Sequence, residues 1–305
     1  MVGIALGALA CTLRGRHDAH NAPMPARVHC KIVTMRNPPS DHPAAQHPAV
    51  HARPHQSDYP RIVGHRGAGT LAPENTLASL RLAHALHCKG VEFDAMLGRD
   101  DEPVLMHDAR LGRTVAGTQA VWALESSDLR ERDAGAWFSR AHAGERVPSL
   151  RDALHLCMSL GLWMNLEIKP ARRRDAARTG AAVARVLREC TSLPGTVPPM
   201  VVSSFEPSAL AAFAGQVPAC PIALLVGHVP RDWAARVAAL EAGALHVNAA
   251  RLTRRRIEAL RASGLRILAY TVNDPDRAAE LLAWGVDAIC TDRPDLMHAA
   301  LHPTP

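Results

Sequence analysis

Between Arg61 and Thr291 the chain repeats one pattern eight times: a short apolar run, a turn, then in most cases an Ala/Leu/Arg-rich stretch with helical spacing. The runs are RIVGH (61–65), VEFDAML (91–97), WMNLEIK (163–169), MVVSSF (200–205), IALLV (222–226), ALHVN (244–248), RILAYTV (266–272) and DAICT (287–291). Their length and β-branched content predict strands. Between them, ENTLASLRLAHALH sets Leu77, Leu80, Ala83 and Leu86 on one side, and DPDRAAELLAWG opens on Asp and closes on Gly, as helices do. A doubly wound open sheet has the same local pattern, but a count of eight favours an α/β chain closed as a TIM (β/α)8 barrel.

One interval breaks the rhythm. Residues 98–148 hold an extra apolar run, PVLMHD, and then a long irregular segment. That is too much chain for an ordinary βα connection, so we expect an insertion between the second and third barrel strands, over the C-terminal mouth where barrel enzymes build their sites. The barrel domain is expected at 61–300, preceded by a disordered extension over 1–60. From Asn37 to Tyr59 the chain is rich in Pro, His and Ala and has no periodicity, which cannot bury enough apolar surface to fold. Met24 and Met35 are possible internal starts.

The remaining composition narrows the setting. Seven cysteines, scattered and never spaced as CxxC, indicate neither a disulfide framework nor a zinc ribbon and suit a reducing, cytoplasmic compartment. The apolar MVGIALGALAC start lacks a cationic leader and is short for a signal peptide. ALAC is one residue out of register with a lipoprotein cleavage site, so secretion or lipidation is the minor expectation. No run reaches the roughly 18 to 20 apolar residues of a membrane span, so no stable membrane insertion is expected. The formal charge of +6 suits an anionic ligand, although the runs Arg172–Arg174 and Arg254–Arg256 are read as solvated helix faces. With aromatics at 4% and none interleaved with the basic runs, nucleic-acid binding has little support.

The strands carry charge where packing alone would place Val or Leu. Glu92 and Asp94 are two apart and leave one face of their strand, as do Glu167 and Lys169 of theirs. Three carboxylates from two strand ends suit a hard divalent cation, Mg²⁺ or Ca²⁺. An internal ion pair of Lys169 with Glu92 or Glu167 accounts for them as well. His65 and Arg66 end the first strand beside glycines that turn the chain sharply, and His107 ends the run within the insertion. Two histidines on one ligand can exchange protons near neutral pH. Arg66 offers a planar fork for phosphate and Lys169 a point charge. Together these groups describe phosphoryl transfer, while GxGxxG, Walker, GxSxG and HExxH patterns are all missing.

HRGAGTLAPENT, VEFDAMLGRDDEPVLMHD, LEIK, VVSSF, AYTVND and GVDAICTDRPD, in that order, closely resemble the glycerophosphodiester phosphodiesterases from Arg61 to Met297. The resemblance implies a TIM barrel with a small insertion after the second strand. It maps catalytic histidines onto His65 and His107, and divalent-metal carboxylates onto Glu92, Asp94 and Glu167. Arg66 and Lys169 fall at phosphate contacts, and Phe205, Tyr270 and Trp284 are candidates to line the glycerol or alcohol pocket, Tyr270 standing where the family often has Trp. Glu74, in PENT, is expected to hold the first helix's N-terminus. The implied reaction is metal-dependent hydrolysis of a small glycerophosphodiester to glycerol 3-phosphate and an alcohol, the glycerol hydroxyl attacking first to give a cyclic phosphate that water opens. Two alternatives remain: a lipid-directed phosphodiesterase or lysophospholipase D using the same site, and a non-catalytic anion-binding barrel.

Overall fold

The structure, a computed structural model, describes residues 59–191 and 197–301. The extension through Asp58 and its possible internal starts lie outside the described residues. Eight parallel strands close on themselves: β1 (Ile62–Gly64), β2 (Gly90–Leu97), β4 (Trp163–Ile168), β5 (Met200–Ser204), β6 (Ile222–Val226), β7 (Ala244–Asn248), β8 (Arg266–Tyr270) and β9 (Ala288–Thr291). The ring is completed by pairing β1 with both β2 and β9. Every expected run is a strand. β3 (Pro103–Leu105), from the PVLMHD run, pairs antiparallel with β2 instead of joining the ring.

Side-chain alternation divides the apolar residues between two cores. In β2, Val91, Phe93 and Ala95 pack outward with the helical layer, while Glu92 and Asp94 face inward. Val63, Trp163, Val201, Ala244, Leu268 and Ala288 fill the barrel interior beneath the mouth. The outer layer is α1 (Leu77–Ala85), α3 (Leu150–Ser159), α4 (Ala176–Cys190), α5 (Pro207–Ala214), α6 (Trp233–Leu240), α7 (Arg254–Ala262), α8 (Pro275–Ala283) and α9 (Pro294–Leu301), with α2 (Ser126–Arg130) in the insertion. Local sequence starts these helices. Ser149 and Asp152 form a reciprocal capping box on α3, and Asp274 followed by Pro275 opens α8. α1 is capped by Thr76, whose hydroxyl accepts from the Ser79 N–H, so Glu74 does not serve as the cap expected of it. The insertion has its own small core, including Val104, Leu111, Val121 and Leu129, packed with Met96 of β2. Among the described residues no helix is long and apolar enough to cross a membrane.

Tyr59 corrects the expected boundary of the disordered stretch. Its ring lies 4.8 Å from that of Trp163, and its hydroxyl is 3.1 Å from Nε2 of His246, because an aromatic at the foot of the barrel has interior apolar surface to cover. His246 is fully buried, and burial pushes its pKa down to about 3. An unfolded histidine titrates near 6.5, so below that pH the unfolded chain binds a proton that the folded chain refuses. Stability is therefore complete above pH ~6.5 and is lost as pH falls toward 3, by up to about 1.4 kcal/mol per pH unit from this group. Urea unfolding between pH 7 and pH 4 should show a shallower loss for His246→Gln than for the native chain; equal slopes would remove His246 as a cause.

Candidate active site

A cavity of about 390 Å³ opens at the C-terminal end of the strands. Nine of the ten residues expected at a site line it: His65, Arg66, Glu92, Asp94, His107, Glu167, Lys169, Phe205 and Tyr270. Trp284 does not. It ends α8, partly buried against the core, with the Arg277 guanidinium 5.0 Å from its ring centroid. Helices here run opposite to the strands, so the last turn of α8 lies toward the foot of the barrel, away from the mouth.

The turn after β1 sets the first half of the site. Arg66 takes a left-handed backbone (φ 52°), and its N–H donates to Glu92 Oε2 at 2.8 Å. Asn75, also left-handed at φ 57°, donates Nδ2–H to Asp94 Oδ2 at 2.8 Å and accepts the Asp94 N–H at 3.0 Å. Asn tolerates this conformation better than most residues, so PENT places its Asn to orient a carboxylate. Gly69 lets this loop touch the end of β9: a Cβ there would stand 2.2 Å from the Asp292 backbone.

Carboxylate oxygens of Glu92, Asp94 and Glu167 all lie within 4.8 Å of one another, buried. Lys169 Nζ is 3.2 Å from Glu167 Oε1 and 3.3 Å from Asp94 Oδ1, and Arg66 Nε is 3.6 Å from Asp94 Oδ2. The ion pair is thus present, yet it leaves the cluster short of positive charge. Burial and then the Asp94 charge push both Glu92 and Glu167 above the usual carboxylate range. Asp94 stays below it: burial opposes ionisation, but Lys169, His107 and Arg66 outweigh it. A compact, buried, all-oxygen donor set with excess negative charge is able to hold a divalent cation.

The two histidines are held alike. His65 Nδ1 is 2.6 Å from Asp292 Oδ1, and His107 Nδ1 is 2.7 Å from Asp108 Oδ1. Each aspartate is fixed in turn: Asn273 Nδ2–H donates to Asp292 Oδ2 at 3.0 Å, and Arg113 Nε–H to Asp108 Oδ2 at 2.7 Å. With Nδ1 engaged, Nε2 is the nitrogen left for a ligand, and that of His65 lies 3.9 Å from Glu92 Oε2. Burial works against the charged form of both rings. At His65 the Asp292 hydrogen bond and the Glu92 charge overcome it and raise the pKa. At His107 burial, with Lys169 and Arg66, outweighs the attraction of Asp94 and lowers it. Partial burial also opposes ionisation of Asp108, but its bonds to Arg113 and His107 hold it down to about 2. Asp292, Asp108, Asn75 and Arg113 are the residues that reading for the site overlooked. The first three stand inside motifs already singled out, TDRPD, HD and PENT.

The model of the glycerophosphoryl diester phosphodiesterase family matches residues 65–296. The Bacillus subtilis protein YhdW is 32% identical over 243 residues, covering 77% of this chain and 96% of that one. A glycerophosphodiester phosphodiesterase of Caldanaerobacter subterraneus is 28% identical, over 77% of this chain and 95% of its own. Among solved structures, an Oleispira antarctica phosphodiesterase in complex with the product sn-glycerol-3-phosphate superposes with a TM-score of 0.75 at 33% identity, over 79% of this chain and 96% of that one. On the extent of these matches the chain belongs to the glycerophosphoryl diester phosphodiesterase family.

Proposed function

We propose that the chain hydrolyses small glycerophosphodiesters to sn-glycerol 3-phosphate and an alcohol, with His65 and His107 as the proton-transfer pair and Glu92, Asp94 and Glu167 as ligands of a divalent cation, Mg²⁺ or Ca²⁺. The observation that carries the reading is the pair of carboxylate-tethered histidines facing one cavity around a buried carboxylate triad. Family membership and the product held by the Oleispira relative supply the substrate class.

The substrate phosphate carries one negative charge. Arg66 Nε is buried without a hydrogen-bond partner among the described residues, an arrangement that favours an anionic acceptor. Lys169, held by Asp94 and Glu167, adds positive charge from the neighbouring strand. A bound divalent cation would supply Lewis-acid polarisation of a phosphoryl oxygen. One histidine takes the proton of the attacking glycerol hydroxyl and the other protonates the alkoxide oxygen as its P–O bond breaks. Water then opens the cyclic phosphate with the roles reversed, and the net reaction adds one water across one P–O bond. Phe205 and Tyr270, whose rings meet edge to face at 6.2 Å, wall the apolar side of the cavity.

The test is a panel of glycerophosphodiesters differing in headgroup, assayed for glycerol 3-phosphate release with Mg²⁺, with Ca²⁺ and with chelator. Release that depends on a divalent cation is expected. No release from any diester with either cation would remove the reading.

A further inference from the structure

Arg113 lies in the insertion and belongs to none of the catalytic or metal positions above. Its guanidinium nonetheless makes three hydrogen bonds, one from each nitrogen. Nε–H donates to Asp108 Oδ2 at 2.7 Å, Nη1–H to Glu74 Oε2 at 2.6 Å and Nη2–H to Glu74 Oε1 at 2.8 Å. Both acceptors are second links. Asp108 holds His107 at Nδ1, and Glu74 Oε1 also accepts Arg66 Nη1–H at 2.9 Å. One side chain therefore joins a histidine carried by the insertion to the arginine carried by the β1 turn.

From this geometry we infer that Arg113 is a positioning residue for the reaction proposed above, fixing the distance between the His107 imidazole and the Arg66 guanidinium. The requirement differs for the two histidines. Asp292, the partner of His65, sits at the end of a barrel strand, so ring closure places it. Asp108 follows His107 directly in the chain and shares whatever movement the insertion has. The bridge to Glu74, 39 residues away in the β1–α1 connection, ties that pair to the barrel. The bridge needs a planar fork with three separate donors. Lysine, a single point charge, cannot serve Asp108 and both oxygens of Glu74 in this way.

A displacement of about 1 Å at reacting groups costs on the order of 10²-fold. Arg113→Ala is therefore expected to lower kcat/KM for glycerophosphocholine by about that factor, with a lower kcat through His107 and a higher KM through Arg66. Because Arg113 is half-exposed, millimolar guanidinium chloride should restore part of the loss and methylammonium should not. Arg113→Lys should behave like the alanine variant. In a double-mutant cycle, Glu74→Gln combined with Arg113→Ala should lose little more than the larger single loss. Turnover by the native chain establishes the parent reaction first, and its absence overturns both readings. Given native turnover, the inference is overturned if Arg113→Ala stays within threefold of native. It is also overturned if the losses at Glu74 and Arg113 add in full, or if guanidinium restores nothing while the melting temperature is native.

Discussion

Alanine at His65 is expected to lower the turnover of glycerophosphocholine by about 10²- to 10⁴-fold, and alanine at His107 to do the same, because in the proposed mechanism each substitution deletes one of two proton transfers. Substrate binding should change less, since Arg66 and Lys169, the groups proposed to meet the phosphate, still line the cavity. The tethering carboxylates give a graded control. Asp292→Asn leaves the His65 ring present but removes the charge that opposes its desolvation, so it should fall between native and His65→Ala. Steady-state kinetics on folded variants decides the matter: near-native turnover in either histidine variant would end its assignment.

The second large effect concerns the carboxylates, and in metal-free protein it runs opposite to ordinary intuition. Glu92 is buried next to Asp94, and its pKa is raised above that of an unfolded carboxylate. With the folded pKa raised, the unfolded chain gives up its proton first as pH increases, so the group costs stability once pH rises above the unfolded value of about 4.3. Glu92→Gln removes that cost and retains an oxygen able to accept the Arg66 N–H. The metal-free variant is therefore expected to melt at or above the temperature of the metal-free native chain at pH 7. Added Mg²⁺ or Ca²⁺ should reverse the ranking, since a ligand at a hundred times its Kd stabilises the native chain by about 2.7 kcal/mol and the variant has lost a donor. Activity should fall with the lost metal response. Thermal melts of both proteins with and without each cation test the account: an undiminished metal-induced shift in Glu92→Gln would take Glu92 out of the ligand set.

Much of the barrel could be read in the sequence because its strands and helices repeat at two distinct periods, and because inward charge on β2 and β4 violates what packing would choose. The alternation that buries Val91, Phe93 and Ala95 among the helices also commits Glu92 and Asp94 to the interior. Trp284 went astray for a reason that chain direction could have exposed: a residue just before the glycine that ends a helix lies at the foot of a βα unit, not at its mouth. Partners such as Asp292 and Arg113 were harder to see. An aspartate before Arg-Pro reads locally as a helix start, and nothing near it points to a histidine 227 positions earlier. Arg113 stands in an irregular segment without periodicity, where side-chain partners follow only from the folded insertion.

The pairing of β1 with β9 has a kinetic meaning. His65 belongs to the first strand of the barrel, whereas Asp292 emerges just after the last. A ribosome must therefore release nearly the whole domain before that histidine gains its partner. A nascent chain ending short of β9 thus carries His65 without the carboxylate that holds its ring.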